Sequence, residues 1–328
     1  MKITMAHGSG GKATSELISR IFAANFKNPV LSAMEDAAVV PGAGTLAVTT
    51  DSFVVTPLFF PGGDIGRLSV CGTVNDLLMS GAVPQYLTCG FIIEEGAESD
   101  DLERMARSMA ETAREAGVTI VAGDTKVVEG GGGVYINTSG VGFVPPGRRV
   151  SASLCREGDA VLVSGYLGEH HAAVLSARMG IENRIRSDCA PLGEAVESLF
   201  QNGVRVHALR DATRGGLATV LNEFAAASGC CIALREESLP VSAPVSGFCG
   251  ILGLDPLYMG NEGKFAAVVD REDAEKALAV LKASQYGENA AVVGSVVPGE
   301  AGTLLVRTSI GGTRIVPELY GEGLPRIC

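Results

Sequence analysis

The sequence predicts a mixed α/β protein of the α+β type, built as two domains that each combine a sheet with covering helices. Its 328 residues, 46% of them hydrophobic, are enough to bury two cores. Strand-like and helix-like segments alternate in both halves of the chain, which is typical of sheets covered by helices. A Pro-Pro-Gly-Arg-Arg segment at 145–149 separates the halves and is the best candidate for a domain boundary.

The first half opens with a glycine loop at 7–11 and an amphipathic helix whose apolar face carries Leu17, Ile21 and Phe22. The clearest helix follows Asp100 and Asp101, which suit the positive end of a helix dipole, and Gly117 ends it. The other predicted elements are a strand at 46–50, a helix at 65–80, and strands at 86–93, 118–122 and 134–144.

The second half begins near Asp159 and alternates more regularly. The predicted strands lie at 160–163, 204–209, 231–234, 291–297, 304–307 and 314–316, with an apolar segment at 265–269, and the helices lie at 170–179, 191–202, after Arg214 and at 272–283. We therefore divide the chain into an N-terminal loop and helix (1–35), a first domain (36–148), a second domain (149–310) and a C-terminal tail (311–328).

Composition excludes several classes of function. A net charge of −11 argues against a surface for nucleic acid or anionic membrane, since both need clustered Lys and Arg. No apolar run is long enough to span a membrane, and the first residues lack the apolar core of a secretion signal, so we expect a cytoplasmic protein. Eight cysteines without a CxxC pair indicate neither disulfides nor a zinc site, and all but the terminal Cys328 are expected to be buried.

Five aspartates lie where the sequence pattern of a strand or helix starts or stops. Carboxylates at such places often hold Mg²⁺, which prefers oxygen ligands and bridges to substrate phosphates. Each aspartate taken alone is better explained as a helix cap or an Asx-turn. The five are Asp36, Asp51, Asp76, Asp124 and Asp211.

Three glycine-rich segments can approach a ligand closely. HGSGGK at 7–12 precedes a helix, so its amides can point at an anion beside Lys12, although it is not a P-loop. ATRGGL at 212–217 repeats this arrangement with Arg214, and GNEGK at 260–264 places Glu262 between two glycines. The alternative for Glu262 is an exposed carboxylate in a turn.

The C-terminal tail GEGLPRIC, at 321–328, carries a thiol at its tip. Its two glycines and proline disfavour helix and central strand, so we expect an extended segment. Eight extended residues span up to about 26–29 Å. That length would let Cys328 move between a pocket and a partner protein.

Taken together, these segments resemble the HypE family of hydrogenase maturation factors. That family is part of a superfamily with aminoimidazole ribonucleotide synthetase, selenophosphate synthetase and thiamine monophosphate kinase. The resemblance runs end to end and is carried by HGSGGK, TTDSFVVTPLFFPGGDIGRLSVCGTVNDL (49–77), YLTCGFIIEEG (86–96), AGDTKVV, DATRGGLA, GNEGK and PRIC. Selenophosphate synthetases place Cys or selenocysteine where this chain has Ser9, and Ala122 stands where a glycine is expected.

The resemblance implies a two-domain aminoimidazole ribonucleotide synthetase-like fold and a homodimer whose first domains pair to form ATP sites. It also implies a reaction that requires ATP and Mg²⁺. A carbamoyltransferase partner, HypF, loads a carboxamide onto Cys328, and ATP-dependent dehydration converts it to a thiocyanate. The nitrile then passes to iron on a HypC–HypD scaffold complex and becomes a cyanide ligand of the nickel–iron site.

The resemblance further assigns roles to individual residues. Cys328 carries the substrate, Glu262 acts as the general base, and Lys126 lies at the phosphate or the reacting oxygen. The implied metal ligands are Asp36, Asp51, Asp76 and Asp211. The implied ATP-binding residues are Gly8, Gly10, Gly11, Lys12, Asp51, Asn75, Asp124 and Arg214.

Two alternatives remain open on the sequence alone. The chain could be an ATP-dependent kinase or ligase acting on a free small molecule, in which case Cys328→Ala would leave turnover intact. It could also be a non-catalytic carrier whose tail thiol delivers a metal or fragment, in which case mutating Asp76 would leave function intact.

Overall fold

The computed structural model describes residues 2–7, 12–33, 38, 40–42 and 44–318. The predicted site residues Gly8, Gly10, Gly11, Asp36 and Cys328 lie outside this part of the chain. Within it, no helix is long and apolar enough to cross a membrane. The predicted fold class of two α+β units is confirmed by the two separate main sheets described below.

The first unit is a four-stranded sheet with the strand order β1-β6-β4-β5. Strands β4 and β5 pair in parallel, and the other neighbours are antiparallel. A two-stranded hairpin, β2 with β3, leads directly into helix α2. The elements are α1 (Lys12–Leu17, continued by a π-helix at Ile18–Ala23), β1 (Leu46–Phe53), β2 (Phe59–Phe60), β3 (Gly63–Asp64), α2 (Ile65–Met79), β4 (Val83–Glu94), α3 (Ser99–Glu115), β5 (Thr119–Val128) and β6 (Val134–Phe143).

Helix α2 lies at the centre of the molecule and is buried on nearly all sides. Asp64 caps its first turn by accepting a hydrogen bond from the amide of Arg67 at 3.0 Å. The helix packs on β1 and β6 of the first sheet and on two elements of the second unit, strand β8 (Val206–Asp211) and helix α5 (Gly193–Gln201). Residues on α2 therefore face both units, which makes this helix the natural place for a site shared between them.

The second unit is a seven-stranded sheet with the order β13-β12-β9-β11-β7-β10-β8. Only β9 and β12 pair in parallel. The elements are β7 (Ala160–Val163), α4 (Glu169–Met179), α5 (Gly193–Gln201), β8 (Val206–Asp211), α6 (Gly216–Ser228), β9 (Cys231–Arg235), α7 (Ala243–Leu252), β10 (Phe265–Val269), α8 (Ala274–Ala283), β11 (Ala291–Val297), β12 (Thr303–Arg307) and β13 (Thr313–Ile315).

Alternate residues of the central strands enter two different apolar layers. On β10, Phe265 and Ala267 join the core that contains α2, α5 and α8, whereas Ala266 and Val268 join the core around α6. This alternation follows from the period of two in a strand, and it sandwiches the second sheet between helices. The first sheet differs, because its other face is open.

The open face of the first sheet carries exposed apolar side chains. Val48 is 70% exposed and Leu46 52%, and Ile92 and Val128 are also exposed. Helices α2 and α3 cover the opposite face. Exposed apolar side chains on one sheet face mark a surface suited to a protein partner.

Candidate functional site

Three of the predicted acidic residues come together at the contact between the two units. Asp51 on β1 and Asp76 on α2 lie close enough to Asp211, at the end of β8, for their charges to interact. Thr49 donates a hydrogen bond from Oγ1 to Asp76 Oδ2 at 2.8 Å, which holds that carboxylate against the sheet. Asp51 Oδ1 accepts the amide of Ser52 at 2.8 Å, as an Asx-type contact.

The sequence-based placement of these aspartates was wrong in one respect. Asp51 lies inside β1, Asp124 lies inside β5 and Asp76 lies in the last turn of α2, so Asp211 alone among the four aspartates that the structure describes is the last residue of its element. The strands run past the polar positions because β1, β4, β5 and β6 pair along their whole length, and backbone pairing does not depend on side-chain polarity.

Burial and mutual repulsion raise the pKa values of this cluster. The pKa of Asp211 rises to about 7, mainly through burial and then through the nearby charges of Asp76 and Asp51. The pKa values of Asp76 and Asp51 are raised by burial as well, although the hydrogen bond from Thr49 lowers the first and Arg214 lowers the second. Without a cation, the cluster is therefore electrostatically strained, and a divalent cation would relieve it.

Glu262 lies beside the cluster and is only 4% exposed, so the alternative of an exposed turn carboxylate is excluded. Its pKa is raised well above the usual value, first by burial and then by Asp211, Asp188 and Asp51. The preceding Asn261 fixes the loop. Its amide donates to Ala212 O at 2.8 Å, and its Oδ1 accepts from Gly168 N at 2.7 Å. A buried carboxyl with a raised pKa beside charged groups is typical of a catalytic acid or base.

A crevice of about 600 Å³ opens onto the cluster. Asp76, Asp211 and Arg214 line it, and Arg214 is exposed at its mouth. Gly216 begins α6 with φ +59°, and a Cβ there would lie 2.5 Å from Leu257 O, so glycine is required for this close approach. Gly216 thus allows the start of α6, next to Arg214, to lie close to the site.

The structure separates Asp124 and Lys126 from the cluster. Both lie on β5 with exposed side chains, joined by an ion pair of 2.9 Å between Lys126 Nζ and Asp124 Oδ1. They project from the open face of the first sheet, whereas alternation along β1 directs Asp51 to the helix-covered face. Lys12 begins α1.

The donor set suits Mg²⁺ in chemistry. In the described part of the chain, no three His, Cys, Asp or Glu side chains form a ready-made metal cage. That is compatible with Mg²⁺, which typically takes one or two carboxylates and completes its shell with water and substrate phosphates. Asp51, Asp76 and Asp211 have carboxylate oxygens of the kind that such a site would need.

Sequence reasoning missed two residues that the structure places at the site. Thr49 holds Asp76, and its only signal was its position two residues before Asp51 in TTDSF. Asp188 accepts the amide of Glu262, but nothing in RSDCAP distinguishes it from an ordinary loop aspartate. Asn75 uses its amide group to bind Ala190 and Leu192, and its predicted role in ATP binding stays a prediction.

Comparison with known proteins agrees with this architecture. The AIR synthase related protein N-terminal domain matches residues 34–144, and the corresponding C-terminal domain matches residues 156–307. A thiamine-monophosphate kinase from Stenotrophomonas maltophilia shares the fold with a TM-score of 0.68 at 21% identity, over 89% of this chain and 95% of that one. The chain therefore belongs to the AIR synthase-related proteins.

More similar relatives define the family within this class. Carbamoyl dehydratase HypE from Rhodobacter capsulatus is 48% identical over 100% of this chain and 98% of its own length, and the HypE of Escherichia coli K12 is 46% identical over 99% of each. A crystal structure of hydrogenase maturation protein HypE in complex with ATP superposes with a TM-score of 0.95 at 48% identity, over 99% of each chain. The chain is thus a member of the HypE family, which confirms the resemblance inferred from the sequence.

Proposed function

We propose that this protein is an ATP-dependent carbamoyl dehydratase that converts a carboxamide on its own Cys328 into a thiocyanate. The observation that carries the proposal is the buried Glu262 beside three converging aspartates, in a chain of the HypE family. In that reaction the S–C(=O)–NH₂ group and ATP become S–C≡N, ADP and phosphate. The nitrile would then supply the cyanide ligand of a [NiFe]-hydrogenase.

The chemistry explains why the site needs these residues. An amide oxygen is a poor leaving group, and its phosphorylation by ATP makes elimination feasible. Bound Mg²⁺ would neutralise charge on the phosphates. Asp51, Asp76 and Asp211 are the residues that would hold it, and Arg214 at the mouth of the crevice would contact the nucleotide.

Glu262 has the properties of the base that removes the amide protons. It lies next to the aspartate cluster, and burial together with the neighbouring carboxylates raises its pKa, which makes the ionised carboxylate a stronger base. Burial also excludes water, which would compete with elimination. ATP binding is supported by the solved ATP complex of a HypE that superposes over 99% of this chain.

We further propose that the open face of the first sheet pairs with a second copy of the chain. Its exposed apolar side chains, Val48 and Leu46 among them, would be buried in a homodimer. Asp124 and Lys126 lie on this face, far from the aspartates of their own chain but placed to meet an ATP bound between protomers. Lys126 would then reach the phosphate or reacting oxygen through dimerisation.

The cytoplasmic partners follow from the same proposal. A solved HypE–HypF complex superposes with a TM-score of 0.81 at 48% identity, over 92% of this chain and 99% of that one, so a HypF-type carbamoyltransferase is the expected donor of the carboxamide. A HypC–HypD scaffold is the expected acceptor of the nitrile. Cys328 must therefore be accessible both to the carbamoyltransferase that loads it and to the scaffold that accepts the nitrile.

The test is the mass of the C-terminal peptide after incubation with HypF, carbamoyl phosphate and Mg-ATP. A carboxamide on Cys328 that loses one water with ATP, but not with a non-hydrolysable analogue, would establish the dehydratase. Cys328→Ala should abolish the adduct, whereas the matched control Cys230→Ala, at a half-buried cysteine, should leave it unchanged. No adduct with an active transferase would reject the proposal in favour of a kinase or ligase.

A further inference from the structure

The segment 187–192 joins Glu262 to the helix that carries Asp76, and we call it the clasp. It belongs to the second unit and runs between α4 and α5. On one side it contacts the GNEGK loop, and on the other it contacts Asn75, the residue directly before Asp76 on α2. The clasp therefore touches both halves of the candidate site.

Two hydrogen bonds tie the clasp to Glu262. The amide of Glu262 donates to Asp188 Oδ1 at 3.1 Å, and the amide of Ala190 donates to Glu262 O at 3.3 Å. The backbones pass so closely that a Cβ on Gly263 would lie 1.9 Å from Asp188 O. Both polar groups of the Glu262 peptide are thus held by the clasp, which fixes the position from which its side chain projects.

Three hydrogen bonds tie the clasp to α2, one from Arg67 Nε to Cys189 O at 2.8 Å and two that involve Asn75. Asn75 donates from Nδ2 to Ala190 O at 3.1 Å and accepts from Leu192 N at 3.0 Å. The side chain is only 2% exposed, so no water competes for these bonds. The carbonyl of Ala190 accepts a hydrogen bond from Asn75, and the amide of Ala190 donates one to Glu262 O. The clasp therefore couples the position of Glu262 to the position of Asn75.

We propose that Asn75 and Asp188 are positioning residues that set Glu262 against the aspartate cluster. This inference rests on the proposed role of Glu262 as the general base. Asn75 adjoins a metal-binding residue in sequence, and its amide is engaged by the protein backbone. Its effect on the reaction therefore passes through the clasp. A displacement of about 1 Å at a reacting group can cost about 100-fold in rate, so such a tether has a measurable kinetic effect.

The experiment is a double-mutant cycle on single-turnover dehydration of chains already carrying the carboxamide on Cys328. Asn75→Ala should slow this step about 10- to 100-fold, and Glu262→Gln about 10²- to 10⁴-fold. In the double variant, Asn75→Ala should add less than about twofold, since a positioning residue has nothing left to position. ATP affinity, measured separately, should stay within about twofold of the parent for Asn75→Ala.

Arg148→Ala is the matched control. Arg148 also bridges the two units, since it donates to Gly81 O at 3.2 Å and pairs with Glu197 of α5, but it makes no contact with the clasp or Glu262. Its loss should change stability while leaving the dehydration rate within about twofold. Thermal unfolding of each variant establishes that it is folded at the assay temperature.

Variants of Asp188 provide a second, independent test of the proposal. Asp188 Oδ2 has no hydrogen-bond partner in the described part of the chain, so an isosteric amide keeps the oxygen that accepts the amide of Glu262. Asp188→Asn should stay within about threefold of the parent rate, whereas Asp188→Ala should lose about 10-fold or more.

Three outcomes would overturn the inference. One is an equal loss of ATP affinity and rate in Asn75→Ala, which would make Asn75 a nucleotide ligand. The second is multiplication of the Asn75 and Glu262 effects in the double variant. The third is an equal loss in Arg148→Ala. A Glu262→Gln variant with the parent rate would instead reject the general-base assignment itself, so the two failures are distinguishable.

Discussion

Asp211→Asn should stabilise the protein in the absence of nucleotide and metal while impairing its function. In the folded protein, burial and the charges of Asp76 and Asp51 raise the pKa of Asp211 from 3.8 to about 7. The folded state therefore binds the proton more tightly than the unfolded state. The contribution of protonated Asp211 to the free energy of unfolding is fully present below pH 3.8 and is lost as the pH rises through about 7.

The magnitude follows from the shift. One pKa unit corresponds to about 1.4 kcal/mol, so ionised Asp211 costs the folded state up to about 4 kcal/mol at pH 8. An amide avoids this cost at every pH. The advantage of Asp211→Asn in free energy of unfolding should thus reach about 2–4 kcal/mol at pH 8 and shrink by about 1 kcal/mol at pH 6, where the native carboxyl is mostly protonated.

Urea unfolding in EDTA at pH 6 and pH 8 measures both quantities. Glu111→Gln on the exposed side of α3 is the control and should change stability equally little at both values. Adding Mg-ATP should raise the stability of the parent by linkage but raise that of Asp211→Asn much less. An Asp211→Asn variant no more stable than the parent at pH 8, or with the same advantage at both pH values, would refute the reasoning.

Three further predictions concern residues that support the site or the proposed dimer interface. Thr49→Val removes the donor to Asp76 and should weaken Mg-ATP binding up to about 10-fold in calorimetry, whereas Thr45→Val, outside the site, should not. Gly216→Ala forces a methyl to within 2.6 Å of two carbonyl oxygens and should lower the free energy of unfolding by about 2–5 kcal/mol, measured in urea. Val48→Lys on the open face should shift sedimentation toward the monomer and lower ATP turnover without unfolding the chain, and an unchanged dimer would contradict the proposed interface.

Most of the fold could be predicted because local patterns and tertiary packing agree. β7 and β11 have the predicted bounds, and the apolar segment at 265–269 coincides with β10; β7 and β10 are buried on both faces, as their unbroken apolar runs indicate. Helix α7 was missed because APVSGFCGIL contains proline and two glycines, which disfavour a helix. It forms because Val245, Phe248 and Cys249 pack against α4, a contact that only the tertiary structure supplies.

The candidate site could be predicted only in part, for a related reason. Asp51, Asp76, Asp211 and Glu262 were identified as motif residues, and the structure brings them together. No periodicity shows that the first three approach one another, because the approach depends on α2 packing against both sheets. Lys126 was assigned to the same site, yet within one chain it faces the other way, which a motif cannot reveal.

The position of α2 connects these observations. Asp76 and Asn75 are neighbours on one helix, and one lies at the crevice with the aspartates while the other is buried against the clasp. Rotation of consecutive helical residues by about 100° is what sends the two side chains to different surroundings. Any movement of α2 relative to the second unit would therefore displace both Asp76, the proposed metal ligand, and Glu262, the proposed base. A site divided between two units depends on the contacts that hold the units together, and α2 provides them here through Asn75 and Arg67, which both hydrogen-bond the clasp.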